Sequence, residues 1–446
     1  MKQKPLLLLA LSLVLLQSCL GAPQVTEPAP NGQTAAPPIE ALPSSTPQPT
    51  PLPSHLAQLR VAYILHGNVW VWDASTGARQ LTNEGDAWGM KISSDGNVIA
   101  YQRYGVDSEG NPSVEEGTSI WAINADGSNR RSVVRIVQYA KSLALAGQYS
   151  YTFTGIHDFA FQPKSHWLYF NTVSDSGTFQ ELSNDLHKVN VDAPTPMPLI
   201  DNIGSEFKFS SDGQLISLAS VSSIYVVNSD GKGLTSDTSG NNLTPVISFD
   251  ILYDYPNDFR PHVVWLTNTT GLYALISAKD KFRFMYVSAD GAINAQLAEF
   301  SAEWADTGQP LISPDGTKVA YVVKNNATYE LHVIDAATID TVIASYENPP
   351  MFELYGWSPD SRRVVFFISD RLFPFAAGLG LPPAPLTESA APDSLRWLDA
   401  ERFLFFREGR LLVGQVGSTA TYEIASGFDK FMDNINFYDF VLLPSP

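Results

Sequence analysis

The nine residues Ser313 to Tyr321, SPDGTKVAY, decide the fold, because near-copies of them recur along the chain. Each copy joins a short polar turn to a run of β-branched and aromatic residues, which favour strands. Pro314 presets a turn angle, Asp315 can bond its own backbone, and Gly316 tolerates a positive φ angle. The stretch is therefore predicted to be a β-hairpin turn, and not a catalytic or metal-binding carboxylate.

The repeating unit is larger than the hairpin. Further hairpin copies begin at Ser93, Gln162, Ser210, Leu266, Ser358 and Leu398. A second apolar run is found in eight copies, which begin at Val69, Ile120, Leu186, Ile224, Phe284, Leu331, Leu372 and Leu411. After most of these runs a polar turn leads to a fourth apolar piece. The unit is thus a four-stranded antiparallel meander, with strands A to D in chain order.

The two ends of the repeat region complement each other. Val61 to Tyr63 match Val319 to Tyr321, so the first unit begins at strand B, whereas residues 436 to 443 form a lone strand after the last unit. Pairing of this strand with the first unit would leave no open sheet edge. The sequence predicts an all-β, eight-bladed β-propeller closed by the C-terminal strand. Seven blades are the alternative, because the unit from Leu372 is rich in proline and glycine.

The repeat also carries a family resemblance. The SPDG turn with its apolar triplet, followed by runs such as IWAINADG from Ile120, resembles the WD40-like repeat of TolB-type periplasmic proteins. It is also similar to the propeller domain of dipeptidyl peptidase IV-like enzymes. The resemblance covers residues 60 to 443 and implies a propeller. The G-x-S-x-G pentapeptide that a serine hydrolase of that class needs does not occur in the sequence.

The N-terminus has the pattern of a secretory signal. Two lysines precede an apolar run from Leu6 to Leu16, which is too short for a membrane span. Residues 16 to 19, LQSC, resemble the bacterial lipobox, which implies removal of residues 1–18 and lipidation of Cys19, for example with palmitate. An ordinary signal peptide with an incidental cysteine is the alternative.

A proline-rich segment follows the cysteine. Residues 19–58 carry ten prolines from position 20 to 56 and no aromatic residue, so they are predicted to be a disordered tether. The propeller domain is expected over residues 59–446. A lipidated Cys19 would place it outside the cytoplasm, on the outer face of the cell membrane, or in the outer membrane or periplasm if there are two membranes.

Composition narrows the choice of partners and cofactors. The formal net charge of −18 disfavours nucleic acids and anionic membrane surfaces. A single cysteine excludes a disulfide framework, and no histidine pair has metal-ligand spacing. No catalytic residue, cofactor or metal site is predicted, and a monomer is expected. The acidic loop from Asp107 to Gly117 is interpreted as solvated, with calcium binding as the alternative.

The connections between strands differ in length. The A–B and C–D turns share one face of the propeller and are short, whereas the long insertions belong to the opposite face. One insertion, residues 236 to 260, holds Phe249, Tyr253, Tyr255 and Phe259 among acidic residues. Aromatic rings in polar surroundings are typical of protein or glycan contacts, so these four are candidate ligand-face residues. Packing of the loop onto its blades is the alternative.

Together these features predict an envelope lipoprotein that presents the propeller as a non-catalytic scaffold for an envelope protein or glycan. The alternative is a glycan-acting hydrolase or lyase with paired carboxylates in the central funnel.

Overall fold

The computed structural model describes residues 56–106, 109, 112–135, 144–145, 149–150, 153–175, 181–200, 206–234, 243–254, 257–304, 307–368, 374–387, 394–429 and 437–444. The chain divides into two compact units, residues 1–51 and 52–446, and all described residues belong to the second. Cys19, the predicted signal and nearly all of the tether lie outside them. Among the described residues, no helix has the length and apolar character of a membrane span.

The described strands form eight four-stranded antiparallel sheets. The first two blades contain β1 (Leu59–Leu65), β2 (Asn68–Asp73), β3 (Gly77–Gln80), β4 (Ala87–Ile92), β5 (Val98–Val106), β6 (Pro112–Asn124) and β7 (Arg131–Val134). A small pair, β8 (Ala144–Leu145) and β9 (Tyr149–Ser150), precedes blade 3, which has β10 (Phe153–Phe161), β11 (Trp167–Asp175), β12 (Glu181–Asn190) and β13 (Met197–Ile200). Blade 4 has β14 (Glu206–Phe209), β15 (Leu215–Ala219), β16 (Ser223–Asn228) and β17 (Ile247–Ser248), and a pair of β18 (Tyr253–Asp254) and β19 (Asn257–Asp258) follows it.

The second half continues in the same order. Blade 5 has β20 (His262–Trp265), β21 (Gly271–Ala278), β22 (Lys281–Ser288) and β23 (Asn294–Phe300). Blade 6 has β24 (Leu311–Ile312), β25 (Lys318–Asn325), β26 (Thr328–Asp335) and β27 (Asp340–Glu347). Blade 7 has β28 (Glu353–Trp357), β29 (Val364–Phe367), β30 (Pro374–Gly378) and β31 (Leu381–Pro385). Blade 8 has β32 (Arg396–Trp397), β33 (Arg402–Arg407), β34 (Arg410–Gln415) and β35 (Tyr422–Ser426), and the last strand is β36 (Tyr438–Leu442).

The last strand closes the ring. β36 pairs antiparallel with β1, so that Leu442 lies opposite Leu59 and Tyr438 opposite Tyr63. Blade 1 therefore has the order β36-β1-β2-β3, with the C-terminal strand as its strand A. The eight-bladed propeller with this closure is confirmed, and the seven-bladed alternative is wrong.

The proline-rich unit that suggested seven blades is a complete blade 7. Its prolines at 382, 383 and 385 lie in β31, which is strand D and has a sheet neighbour on one side only. Proline is tolerated on an edge strand because its missing N–H is not needed there for the ladder.

The hydrophobic core lies between neighbouring sheets, with tryptophans that link one blade to the next. The Nε1–H of Trp265 donates to the carbonyl of Lys208 at 3.1 Å, and that of Trp357 donates to the carbonyl of Leu311 at 3.0 Å. Each bond joins strand A of one blade to strand A of the blade before it. These tryptophans at the ends of strands A are therefore inter-blade residues.

The SPDG turn that begins at Ser313 in blade 6 is stabilised by hydrogen bonds to the carboxylate of its own aspartate. Asp315 accepts from the Ser313 hydroxyl at 2.6 Å and from the Thr317 N–H at 3.0 Å. Asp95 and Asp360 make the same two bonds in blades 2 and 7. Burial opposes ionisation of Asp315, but these bonds outweigh it and lower its pKa to about 2. The aspartate thus stabilises the hairpin.

Candidate ligand pocket on the turn face

The four predicted ligand-face aromatics are not equivalent in the structure. Phe249 is half-buried and packs against the apolar cluster between blades 4 and 5. Phe259 is fully buried, with its ring centroid 5.1 Å from that of Phe282. Tyr253 lies in β18, and Tyr255 lies outside the described residues. The packing alternative therefore describes Phe259, whose buried ring offers no surface to a partner.

The opposite face, which carries the short turns, contains a polar cavity. It has a volume of about 460 Å³ and is lined by charged side chains from blades 1, 2 and 3, among them Arg60, Arg79, Asp126, His166 and Asp192. Arg60 is the second residue of β1, which is strand B of blade 1, and Arg79 lies in β3, which is strand D of the same blade. The other three belong to turns of blades 2 and 3. We call this cavity the turn-face pocket.

His166 connects two turns beside the pocket. Its Nδ1 lies 2.7 Å from Asp192 Oδ2, and its Nε2 lies 3.1 Å from Asp95 Oδ2. Burial opposes protonation of the ring, but the hydrogen bonds to both aspartates outweigh it and raise the pKa of His166 above its ordinary value. The charged imidazolium can donate to both carboxylates at once and neutralises part of their charge.

Arg131, next to His166, connects the turns of blades 2 and 3 through hydrogen bonds. Its Nη2 lies 2.9 Å from Asp192 Oδ1, and its Nη1 donates to the carbonyl of Asn129 at 2.6 Å. A further bond runs from its Nε to the carbonyl of Val191. Its Nη1 also donates to Asn124 Oδ1 at 3.2 Å, and with four different acceptors around its guanidinium Arg131 holds the blade 2 and blade 3 turns together.

Arg60 and Arg79, by contrast, retain unused donors. Nη1 of Arg60 donates to the carbonyl of Gly96 at 2.9 Å, while its Nη2 is 3.6 Å from Asp73. Nη2 of Arg79 donates to the carbonyl of Ala125 at 3.0 Å. In the described part of the chain, neither Nε has an acceptor, and no carboxylate lies within 4.0 Å of the Arg79 guanidinium. Both Nε atoms are buried, so a further anion would be bound through the Nη groups, above all the Nη1 of Arg79.

The carboxylates near the pocket are already engaged. Hydrogen bonds from Ser128 lower the pKa of Asp126. Burial opposes ionisation of Asp95, but bonds from Ser93 and Asn97 outweigh it and lower its pKa to about 2. A general acid needs a pKa near the working pH, so neither group is suited to that role. Asp73 and Asp95 contact Arg60 and His166, so among the cations of the lining Arg79 is the one without a carboxylate at ion-pair distance in the described part of the chain.

A larger cavity lies between blades 7 and 8. It has a volume of about 600 Å³ and an apolar floor that includes Phe375, Phe403 and Phe405. Arg407 lies over the ring of Phe405 at 5.7 Å. The walls are mainly apolar, with serine and threonine side chains at the rim. Specific recognition of a ligand depends on precisely positioned polar groups, and for this reason we consider the turn-face pocket the better candidate site.

Among the described residues, no three His, Cys, Asp or Glu side chains are grouped to hold a metal ion. Nδ1 of the enclosed His262 accepts from the Ile312 N–H at 3.0 Å. Burial, with a smaller effect of Lys208, lowers the pKa of His262 to about 3, so it is a neutral structural side chain.

The turn-face pocket was not predicted from the sequence, because the long loops that suggested a binding surface belong to the other face. One feature of the hairpin repeat could have indicated it. The fifth residue of the hairpin motif is Asn97, Gln214, Thr270, Thr317, Arg362 or Arg402 in the other copies, but His166 in blade 3.

No family model and no curated protein matches this sequence. Among solved structures it is similar to TolB from Acinetobacter baumannii, with 12% identity, a TM-score of 0.31, and coverage of 64% of this chain and 62% of that one. It is also similar to an oligogalacturonate lyase in complex with manganese, with 12% identity, a TM-score of 0.43, and coverage of 70% and 82%. A prolyl endopeptidase shows 10% identity, a TM-score of 0.45, and coverage of 76% and 49%, so the chain spans about half of that enzyme. At these identities the likeness concerns the β-propeller fold alone.

Proposed function

We propose that this protein is a lipid-anchored propeller of the bacterial cell envelope that binds its ligand on the turn face without transforming it. The observation that carries the proposal is the turn-face pocket, in which Arg79 has one hydrogen bond to a backbone carbonyl and no ion pair among the described residues. The exposed Asp126 interacts with Arg79 electrostatically but does not lie at ion-pair distance from it, so the half-buried guanidinium still gains from a bound anion. Its position in a cavity favours a ligand as that anion.

Binding without turnover is favoured by the state of the nearby acids. Asp95 and Asp126 have lowered pKa values, and Asp192 contacts both Arg131 and His166. These carboxylates hold turns and balance charge. Because their pKa values are lowered, Asp95 and Asp126 are ionised at neutral pH and do not supply the proton that a leaving group requires.

The anchor is proposed from Cys19 and its LQSC context. Metabolic labelling of the expressed protein with a palmitate analogue tests it. Wild-type protein should incorporate the label and partition with membranes, whereas Cys19→Ser should do neither. Labelling that persists in Cys19→Ser would remove the lipid anchor from the proposal.

The alternative, a glycan-acting hydrolase or lyase, has one observation in its favour. Burial raises the pKa of Asp439 in β36, as a general acid would require. Its carboxylate, however, already accepts a hydrogen bond from the Ile92 N–H at 2.9 Å and lies 3.6 Å from Arg396. These contacts support a structural role for Asp439.

Site-specific photocrosslinking in intact cells tests where the protein binds. A photoreactive amino acid would be placed at Asn129, which is exposed at the turn-face pocket, or at Tyr253 in the aromatic insertion. Asn268, exposed in the blade 5 hairpin, is the control on the same face. Envelope adducts should form from Asn129 and not from Asn268. Adducts from Tyr253 alone would move the binding surface to the other face, and turnover of envelope glycans by the purified protein would support the enzyme.

A further inference from the structure

Building on the proposed function, we infer that the turn-face pocket takes a sugar acid, that is, a hydroxylated ligand with a single carboxylate. The ligand's carboxylate would bind the Arg79 guanidinium, with Arg60 as the second cation. The ligand's hydroxyl groups would meet the polar walls of the pocket.

Carboxylate recognition follows from the unused donors of Arg79. A guanidinium presents five N–H donors, and the structure shows a protein acceptor for the Nη2 of Arg79 only. Arginine binds carboxylates in a planar, often bidentate geometry. Arg131 shows the contrast within the same cavity region, since Asp192, Asn129 and Val191 already surround it. Arg79 is therefore the position at which an external carboxylate fits.

The single charge follows from the balance of the lining. Arg60, Arg79 and His166 line the cavity together with the carboxylates of Asp126 and Asp192. Asp73 contacts Arg60 and Asp95 contacts His166, so these two cations already have carboxylate partners, and the free donors of Arg79 offer a place for one negative charge. The surrounding carboxylates would repel a phosphate dianion more strongly than a monoanion. A carboxylate is favoured over a phosphate for this reason.

The hydroxylated character follows from the rest of the wall. Asn97, Asn124 and Asn129 line the pocket, and of its lining only Val98 and Ala125 are apolar. The Asn124 amide is already bonded to Ser128 and Arg131, and the Asn97 NH2 group to Asp95, so the exposed Asn129 amide and the Asn97 carbonyl oxygen are the amide groups that can bond ligand hydroxyls. An apolar ligand side chain would find few apolar contacts in this lining. The volume of about 460 Å³ is within the range of small-ligand sites.

Titration of the sugar probe glucuronate into the purified full chain, followed by the ring-proton signals in NMR, tests this inference. Glucose is the uncharged control, glucose 6-phosphate the dianion and an acetylated dipeptide the peptide carboxylate. Arg79→Gln should weaken glucuronate binding roughly tenfold or more, as expected for loss of a charged hydrogen bond. Arg283→Gln is the matched control, because Arg283 is an exposed blade 5 arginine paired with Glu299, and its affinity should match the wild type.

Glucuronate should also bind more tightly than each of the other three probes. Equal affinity of wild type and folded Arg79→Gln, or equal binding of glucose, would overturn the carboxylate assignment. Tighter binding of glucose 6-phosphate or of the dipeptide would replace the sugar acid by that class. If glucuronate fails while Asn129 still forms envelope adducts, the ligand class is wrong and the proposed function stands. Failure of both experiments would contradict both.

Discussion

The carboxylate of Asp439 in the last strand accepts a hydrogen bond of 2.9 Å from the backbone N–H of Ile92 in blade 2. The same carboxylate lies 3.6 Å from Nη1 of Arg396 in blade 8. Because β36 also pairs with β1, the final strand contacts the blades on both sides of the junction. Ring closure therefore depends on side chains as well as on the sheet.

Tyr438→Phe should destabilise this closure. Tyr438 is fully buried, and its hydroxyl donates to the carbonyl of Ser394 in the approach to blade 8. Removing the hydroxyl breaks this buried hydrogen bond, at a cost of about 0.5–1.5 kcal/mol. Urea unfolding of the purified protein measures the loss. Tyr422→Phe is the control, because that half-buried ring is an edge contact of Trp72, and an equal loss there would contradict the role of the Tyr438 hydroxyl.

Gly316→Ala should cost more stability than Gly77→Ala. The two glycines have φ angles of +70° and +71°, so an alanine strains the backbone similarly at both. At Gly316 the added Cβ would lie 2.1 Å from the Tyr273 ring, whereas at Gly77 it meets nothing within 4 Å. Displacing that ring should add about 1–3 kcal/mol. Chemical denaturation of both variants measures the difference, and equal losses would show that the ring moves aside at no cost.

The stabilising effect of Asp315 should depend on pH. Its folded pKa of about 2 lies below the ordinary value of 3.8, so its contribution is present above pH 3.8 and is lost as the pH falls towards 2. Asp315→Ala should therefore lower the melting temperature at pH 7 and should differ less from wild type at pH 2.5. Calorimetry at both pH values checks this. A difference that stays constant down to pH 2.5 would contradict stabilisation by the ionised carboxylate.

His166 should show the opposite pH dependence. Its folded pKa is raised above 6.5, so the stability it adds is fully present below pH 6.5 and is lost as the pH rises through the folded value. The charged groups around it are Asp95 and Asp192, with Arg131 on the far side of Asp192. The gap in melting temperature between wild type and His166→Gln should be larger at pH 6 than at pH 9. A gap that widens with pH would be inconsistent with an imidazolium bridge.

The fold could be predicted because the residues that specify each hairpin are close together in the sequence and recur in each blade. Each hairpin carries its own turn chemistry, and the unpaired ends at Val61 and Tyr438 indicated ring closure. The turn-face pocket was not predictable, because Arg79, Asp126 and His166 belong to three blades and meet only when the ring forms. Loop composition gave no measure of burial either, so ligand contact and packing both remained open for Phe259, which is buried in the structure.

Hydrogen–deuterium exchange of the full chain at saturating glucuronate tests the central claim, that the turn-face pocket is the binding site. We expect slower exchange at the amides of residues 96–98 and 125–129, which line or border the pocket, and no such change in Arg79→Gln. Protection confined to the groove between blades 7 and 8 or to residues 249–259, or no protection at all, would contradict it.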